Sequence, residues 1–88
     1  MFVCNPGNPT GTRLSVESLL QLRKQMPDNC LLIIDQAYGE FDKQDHQPLF
    51  DLVAQENTVI TRTFSKAYCL AGLRVGWAYA SALSLIHI

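Results

Sequence analysis

The run Leu31-Leu32-Ile33-Ile34, ended by Asp35, constrains the fold of this chain more than any other segment. Four apolar residues in succession leave no face for water, so a strand built from them is buried on both sides. Sheets covered on both faces are mostly parallel, with helices between their strands. The run therefore predicts a central parallel strand with an acid at its carboxyl end.

The flanking segments fit alternating strands and helices. Met1 to Cys4 is a short apolar run that predicts a first strand, and Thr58 to Thr63 predicts a third. Between the first two strands, Ser15 is a good N-cap, apolar residues follow at helical spacing, and Pro27 ends the helix. Strand, crossover helix and strand predict an α/β fold with a mostly parallel sheet and flanking helices. The segment between Asp35 and Thr58 is predicted as a loop.

Composition excludes several classes of function. The chain has 88 residues, 48% of them apolar, which can fill one small core. Seven basic and eight acidic residues are interspersed and give a net charge of -1, so neither a nucleic-acid partner nor a membrane partner is predicted. No apolar stretch reaches the ~18 residues of a membrane span, and no signal-peptide pattern opens the chain.

The cysteines and histidines do not predict a disulfide or a metal site. Cys4, Cys30 and Cys69 are odd in number and widely spaced, which predicts reduced, buried thiols in a cytoplasmic protein. His46 and His87 lie far apart, with no second ligand at helical spacing.

Polar side chains follow each predicted strand at its carboxyl end. In open parallel sheets this edge is where ligands bind, so these side chains predict one composite site. They are Asn8, Asp35, Thr63, Ser65 and Lys66.

Lys66 lies in an apolar stretch beside hydroxyl groups, with Arg74 farther along the chain. Burial disfavours the charged form of an amine and makes it a better nucleophile, so we expect a buried Lys66. An arginine and two hydroxyls can bind a dianionic phosphate through charge-assisted hydrogen bonds. Together these groups suit an aldehyde that also carries a phosphate, such as pyridoxal phosphate.

Three motifs occur in a fixed order: Asn8-Pro9-Thr10-Gly11, then Asp35-x-Ala37-Tyr38, then Ser65-Lys66 with Arg74. The set resembles the fold-type I pyridoxal-phosphate-dependent aminotransferases of classes I and II. The residues around the lysine, Arg62 to Tyr68 and Ala71 to Ala80, most resemble the histidinol-phosphate aminotransferases among them.

The resemblance implies how the chain is organised. Residues 1–80 would be part of the large pyridoxal-phosphate-binding domain, within an internal fragment of an enzyme that is a homodimer at full length. Residues 81–88 carry no Asp, Glu, Lys or Arg, and they depart from the charged helix expected of the family. We expect them to be a truncated or non-native tail.

The resemblance also implies a role for each site residue. Lys66 would be catalytic, binding the cofactor covalently and moving a proton at the substrate Cα. Asp35 would pair with the protonated pyridine nitrogen. The phenolic oxygen and the phosphate of the cofactor would be bound by two further groups of residues, Asn8 with Tyr38 and Thr63 with Ser65 and Arg74.

Structural roles for the same residues stay open from the sequence alone. Asp35, Asn8 and Ser65 are residue types that cap helices and form turns. Tyr38 could serve packing, and Arg74 a surface ion pair.

The resemblance implies transamination of histidinol phosphate with 2-oxoglutarate in histidine biosynthesis. The partners would be an amino-acid-like phosphate ester and a 2-oxo acid. Alternatives are another class I or II aminotransferase, a threonine-phosphate decarboxylase, or an aminotransferase-like effector domain of a transcription regulator. The last is disfavoured because no basic helix-turn-helix segment is visible.

Two local expectations concern the backbone and packing. A cis Asn8–Pro9 bond is one way to turn the chain tightly after Asn8. Trp77 and Tyr79 alternate with small residues and predict a packed strand, and Gly72 and Gly76 predict turns or close backbone contacts.

Overall fold

The computed structural model describes residues 1–55 and 57–82. Its centre is a four-stranded sheet in the order β1-β2-β3-β4, in which the first three strands are parallel and the fourth is antiparallel to β3. The strands are β1 Phe2–Cys4, β2 Leu32–Asp35, β3 Thr58–Thr63 and β4 Gly76–Tyr79. The predicted α/β fold with a mostly parallel sheet is confirmed.

Helix α1 connects β1 to β2 and spans Val16–Gln25. The Ser15 hydroxyl accepts a hydrogen bond from the backbone N–H of Ser18 at 3.1 Å, which satisfies one of the free donors of the first turn. The helix ends at Met26, whose N–H donates to the carbonyl of Arg23 at 3.2 Å. The predicted cap and the stop before Pro27 are both confirmed.

Helix α2, Gln47–Gln55, connects β2 to β3, where the sequence predicted a loop. Pro48 is tolerated because it lies in the first turn, where a backbone N–H has no partner within the helix. Leu49 and Val53 lie four residues apart and are both buried, so one face of this short helix packs on the core. A 3₁₀ helix, Gly39–Phe41, lies between β2 and α2.

The core lies between the two helices and one face of the sheet. Leu32 and Ile34 of β2 lie on this face, and their neighbours in register on β3 are Thr58 and Ile60. Burying such side chains contributes about 1.5–3 kcal/mol each. The buried apolar cluster consists of Val16, Leu19, Leu32, Ile34, Leu49, Val53 and Ile60.

Arg23 fixes the end of α1 against the amino end of the sheet. Its side chain is buried, and its guanidinium donates to the carbonyls of Cys30 at 2.7 Å, Pro27 at 2.8 Å and Asn57 at 3.1 Å. These carbonyls precede β2 and β3, so one side chain joins the helix to both strands. A buried cation of this kind is tolerated because Nη1 and Nη2 donate to backbone carbonyls, while Nε is buried without a hydrogen-bond partner in the described structure.

Several backbone features agree with the sequence. The Asn8–Pro9 bond is cis, as predicted, and Asn5–Pro6 is cis as well. A Cβ atom on Gly76 would lie 2.9 Å from the carbonyl oxygen of Arg62, so this glycine permits the close backbone contact predicted for it. Gly72 lies in a 3₁₀ helix, Ala71–Leu73, with nothing within 4 Å of such a Cβ.

The expected tail falls largely outside the described residues, because 83–88 are not among them. Within the described part of the chain, the helices are too short and too polar to cross a membrane.

Candidate functional site

A cavity of about 250 Å³ opens at the carboxyl end of the parallel strands. Its walls come from the loop after β1, the end of β2 and the loop after β3. The lining residues are Cys4, Pro6, Asn8, Asp35, Ala37, Tyr38 and Lys66. Four predicted site residues, Asn8, Asp35, Tyr38 and Lys66, therefore meet in one place, at the edge of the sheet where the strand order predicts a ligand.

Asp35 is the last residue of β2, where it lies beside Cys4 of β1 and Thr61 of β3. Its Oδ1 accepts a hydrogen bond from the backbone N–H of Ala37 at 2.9 Å and a long one from the Thr61 hydroxyl at 3.5 Å. The side chain is half-buried and held in one orientation by its own turn. An ionised carboxylate has capacity for further donors, so Asp35 can accept a hydrogen bond from a ligand in the cavity.

Tyr38 joins the other two polar groups of the cavity. The side-chain amide of Asn8 donates to the Tyr38 hydroxyl at 3.2 Å. The amine of Lys66 lies 5.7 Å from the centre of the Tyr38 ring, within cation–π range. An amide, a phenol and an amine from three separate loops are thus brought together in the cavity that Asp35 also lines.

The expectation of a buried Lys66 is wrong for this chain, in which Lys66 is exposed. The residue follows β3 in an irregular turn, where Cys69 donates its backbone N–H to the carbonyl of Lys66 at 3.0 Å. The apolar residues around it in sequence do not cover the amine, because this turn leaves the sheet instead of extending it. Lys66 reaches the cavity from its open side.

The predicted burial of the cysteines is also wrong. Cys4, Cys30 and Cys69 are free thiols, as expected, but all three are exposed. Cys4 lies on an outer strand of the sheet, while Cys30 and Cys69 lie in connecting segments. Of the three, only Cys4 is among the cavity residues given above.

The three residues predicted to bind a phosphate are not among those that line the cavity in the described structure. The Thr63 hydroxyl accepts from the backbone N–H of Ser65 at 3.0 Å, at the end of β3 and next to Lys66. Arg74 is exposed, has a left-handed backbone with φ of 54°, and donates from Nη1 to the carbonyl of Ala71 at 3.3 Å. Their role as phosphate ligands stays a prediction.

Sequence reasoning missed four residues at this site. Cys4, Pro6 and Ala37 line the cavity, and Thr61 supports Asp35. The available signal was the register of the parallel strands, which places Cys4 and Thr61 on either side of Asp35. Without the register, the sequence predicts only that Cys4 and Thr61 belong to β-strands.

Comparison with known proteins agrees with this arrangement of fold and site. The family described as aminotransferase class I and II matches residues 1–88. The chain therefore belongs to the class I and II aminotransferase family.

Individual relatives carry two different enzyme names. The chain is 51% identical over 80 residues to a histidinol-phosphate aminotransferase of Granulibacter bethesdensis, and this match covers 89% of this chain and 22% of that protein. It is 43% identical over 93 residues to an aromatic amino acid aminotransferase of Rhodococcus jostii, and this match covers 100% of this chain and 26% of that protein.

A solved structure shows the same fold. The histidinol-phosphate aminotransferase of Sinorhizobium meliloti, in complex with pyridoxal-5'-phosphate, superposes with a TM-score of 0.86 at 33% identity. The match covers 94% of this chain and 23% of that one. The chain thus spans about a quarter of the length of the relatives it matches.

Proposed function

We propose that the chain forms part of the cofactor site of a pyridoxal-phosphate-dependent aminotransferase. The observation that supports this most directly is the cavity in which Lys66, Asp35 and Tyr38 meet at the carboxyl end of parallel strands. Each of these side chains has a chemical counterpart on the cofactor, and the family match is independent of that geometry.

The donor and acceptor groups of the site fit pyridoxal phosphate. Asp35 is an acceptor for the protonated pyridine nitrogen, and its two existing hydrogen bonds fix its direction. Tyr38 and Asn8 are already joined to each other, so both can donate toward the phenolic oxygen from one side. Lys66 provides the primary amine that an aldehyde carbon requires.

When bound, the cofactor supplies an electron sink for the negative charge that develops at the substrate Cα. The protein residues would set the protonation of the cofactor ring and move the proton of the substrate. The negative charge of Asp35 would keep the ring nitrogen protonated, and Lys66 would take the proton from the substrate Cα and hold it for return. Thr63, Ser65 and Arg74 would bind the phosphate in the complete site.

Histidinol phosphate is the amino donor that we propose, with 2-oxoglutarate as the acceptor. The support is the name borne by the Granulibacter relative and the Sinorhizobium structure. The Rhodococcus relative favours a second candidate, an aromatic amino acid as the donor. Steady-state kinetics of the full-length protein with histidinol phosphate and with phenylalanine would separate the two, since the true donor has the higher kcat/KM.

The cofactor proposal is tested by reducing the full-length protein with borohydride in the presence of pyridoxal phosphate. We expect the cofactor to become fixed on Lys66, and peptide mapping to find Lys24 and Lys43 unlabelled. Lys66→Ala should lose transamination by about 10³-fold or more, because both the covalent link and the proton acceptor disappear.

Lys43→Ala is the matched control, since Lys43 is exposed and does not line the cavity. It should retain normal activity and normal labelling of Lys66. Label on Lys43, or undiminished transamination by Lys66→Ala, would overturn the assignment.

A further inference from the structure

A series of largely buried polar side chains connects β3, the residue after β2 and the segment before α2. Arg62 of β3 donates from Nε to Oε1 of Gln36 at 3.0 Å. Gln36 is completely buried and directly follows Asp35, and its Nε2 lies 2.9 Å from Nδ1 of His46. None of these three residues lines the cavity, so the mechanism proposed above does not use them.

Arg62 fixes the direction of each hydrogen bond between these side chains. A guanidinium only donates, so Gln36 must present its carbonyl oxygen to Arg62 and its NH₂ group to His46. Nδ1 of His46 must then be an acceptor, which places the ring proton on Nε2 and makes the ring neutral. Nε2 is buried without a hydrogen-bond partner in the described structure, and it lies 3.6 Å from Oδ2 of Asp42.

Arg62 has little freedom to move. Its guanidinium lies 5.6 Å from the ring centre of Phe50 and 5.8 Å from that of Trp77. A Cβ atom on Gly39 would lie only 3.2 Å from the guanidinium, so the turn after β2 packs directly over it. The starting point of the hydrogen-bond chain is therefore rigid.

His46 bridges the two ends of the turn that presents Tyr38. The turn begins at Gln36, whose carbonyl accepts from the N–H of Gly39 at 2.9 Å. It ends at Asp42, whose N–H donates to the carbonyl of Gly39 at 3.1 Å. The ring of His46, with its side chain 10% exposed, lies between the side chains of these two end residues.

Asp42 is itself held firmly as an anion. Its side chain is fully buried, and it accepts from the backbone N–H of Gln44 at 3.2 Å and from the Gln44 amide at 2.9 Å. Burial raises the pKa of Asp42, but the hydrogen bonds from Gln44 and the nearby Arg13 guanidinium lower it, and the pKa lies below its ordinary value. The charged groups around His46 are Asp42 and Glu40 after β2, Arg13 before α1, and Arg62 on β3.

We propose that neutral His46 is a positioning residue for the turn that presents Tyr38 to the cofactor. Its ring accepts a hydrogen bond from Gln36 and lies 3.6 Å from Asp42 across the base of that turn, and Asp35 is held in place because it precedes Gln36 in the chain. The inference rests on the proposed function, since it concerns the cofactor site, but it uses side chains that touch neither cofactor nor substrate.

Protonation of His46 would break the bridge. A proton on Nδ1 would face the NH₂ group of Gln36, and Gln36 cannot reverse its amide because Arg62 requires the carbonyl oxygen. A charged His46 ring should therefore loosen the turn and weaken cofactor binding. The attraction between a charged ring and Asp42 does not restore the lost bond to Gln36.

The test compares the dissociation constant of pyridoxal phosphate for full-length wild-type protein and for three variants. His46→Asn places an amide oxygen near the position of Nδ1 and does not titrate, so it should bind within about threefold of wild type at about pH 8. His46→Leu removes the acceptor and should weaken binding about tenfold. Gln47→Leu, the matched control, removes only an exposed bond to Asp51 and should bind like wild type.

The decisive readout is the dissociation constant of the wild-type protein divided by that of His46→Asn at the same pH. The titration of the cofactor itself affects both constants equally and cancels in this ratio. The ratio should rise about tenfold once the pH is low enough for the nitrogen-15 spectrum to show a charged His46 ring. A ratio that stays constant when His46 is charged, or unchanged binding by His46→Leu, would overturn the proposal. If His46→Leu does not fold, the ratio for His46→Asn decides alone.

A second measurement does not depend on the cofactor. Nitrogen-15 NMR of the imidazole at about pH 8 should show a proton on Nε2 and none on Nδ1 of His46. The opposite tautomer would refute the hydrogen-bond chain. If wild-type protein binds no pyridoxal phosphate at either pH, the proposed function fails, and the NMR result still tests the chain.

Discussion

Three aspartates of this chain share one local geometry. Asp35, Asp42 and Asp45 each accept a hydrogen bond from the backbone N–H two residues on, at 2.9, 3.2 and 3.0 Å. The turn is a property of the residue type, because a short acceptor side chain reaches its own backbone easily. What distinguishes Asp35 is its place at the carboxyl end of a parallel strand, beside a cavity.

The shared geometry provides a controlled test of the charge of Asp35. Asp35→Asn retains an acceptor for the Ala37 N–H but removes the negative charge that would keep the pyridine nitrogen protonated. We expect kcat to fall about 10²- to 10³-fold while cofactor affinity falls no more than about tenfold. Asp45→Asn makes the same change in an exposed turn and should leave kcat unaltered. Near-normal turnover of Asp35→Asn would show that Asp35 only stabilises its turn and that its charge has no part in catalysis.

Cys4 offers a direct probe of ligand occupancy. Cys4 lines the cavity, whereas Cys30 lies before β2, at the opposite end of the sheet, and both thiols are exposed. Pyridoxal phosphate should therefore slow alkylation of Cys4 by about 100-fold at 100 Kd, since only the free fraction reacts, without slowing Cys30. Quantitative mass spectrometry of the two peptides measures both rates. Equal protection of both thiols, or of neither, would contradict the location of the site.

At the residue scale, the sequence predicted which side chains meet but not how they reach the cavity. Asp35 ends β2, and Asn8 and Tyr38 lie a few residues after β1 and β2, so the topology alone brings them to one edge. Lys66 and Arg74 lie in an irregular connection, whose course depends on 3₁₀ and left-handed turns at 69–74. Apolar neighbours in sequence suggested burial of Lys66, but no helical or strand period fixed the direction of its side chain.

At the scale of elements, α1 was predictable and α2 was not. Ser15 and Pro27 mark the ends of α1, and its apolar positions repeat over several turns. Helix α2 has only nine residues, begins with Gln47 and Pro48, and follows a polar segment, so it lacks a clear start signal. Its stability comes from packing Leu49 and Val53 on the core, which sequence patterns reveal poorly in short helices.

The pairing of β4 with β3 depends on Gly76. The backbone of Arg62 lies so close that a Cβ atom would meet its carbonyl oxygen at 2.9 Å, and backbone atoms cannot move aside cheaply. We expect Gly76→Ala to lower the free energy of unfolding by about 1–3 kcal/mol, measured by urea denaturation of the full-length protein.

Gly72→Ala is the control for this prediction, because its Cβ would meet nothing within 4 Å and no positive φ is required there. It should be neutral, or stabilising by about 0.4–1 kcal/mol through the unfolded chain. Equal stability of Gly76→Ala and Gly72→Ala would show that β4 can shift without cost.

At the scale of the whole molecule, apolar surface is concentrated toward the end of the described chain. Six of the large exposed hydrophobic residues lie between 68 and 79, where they form the outer strand β4 and the connection that leads to it. They are Tyr68, Leu70, Leu73, Val75, Trp77 and Tyr79. The outer edge of β4 has no strand partner among residues 1–55 and 57–82, and such an edge beside exposed apolar groups is a surface that promotes association between chains.

The 88-residue chain on its own should therefore self-associate, and the surface at 68–79 should be responsible. Leu73 and Phe41 are each 64% exposed, but only Leu73 belongs to that surface. We expect Leu73→Lys to raise the concentration at which association begins by about tenfold, since a lysine removes apolar contact area and its charge is costly to bury in the contact, whereas Phe41→Lys should change it by no more than about twofold. Light scattering over a concentration series measures both. An equal effect of the two substitutions would show that general net charge, and not this surface, governs association.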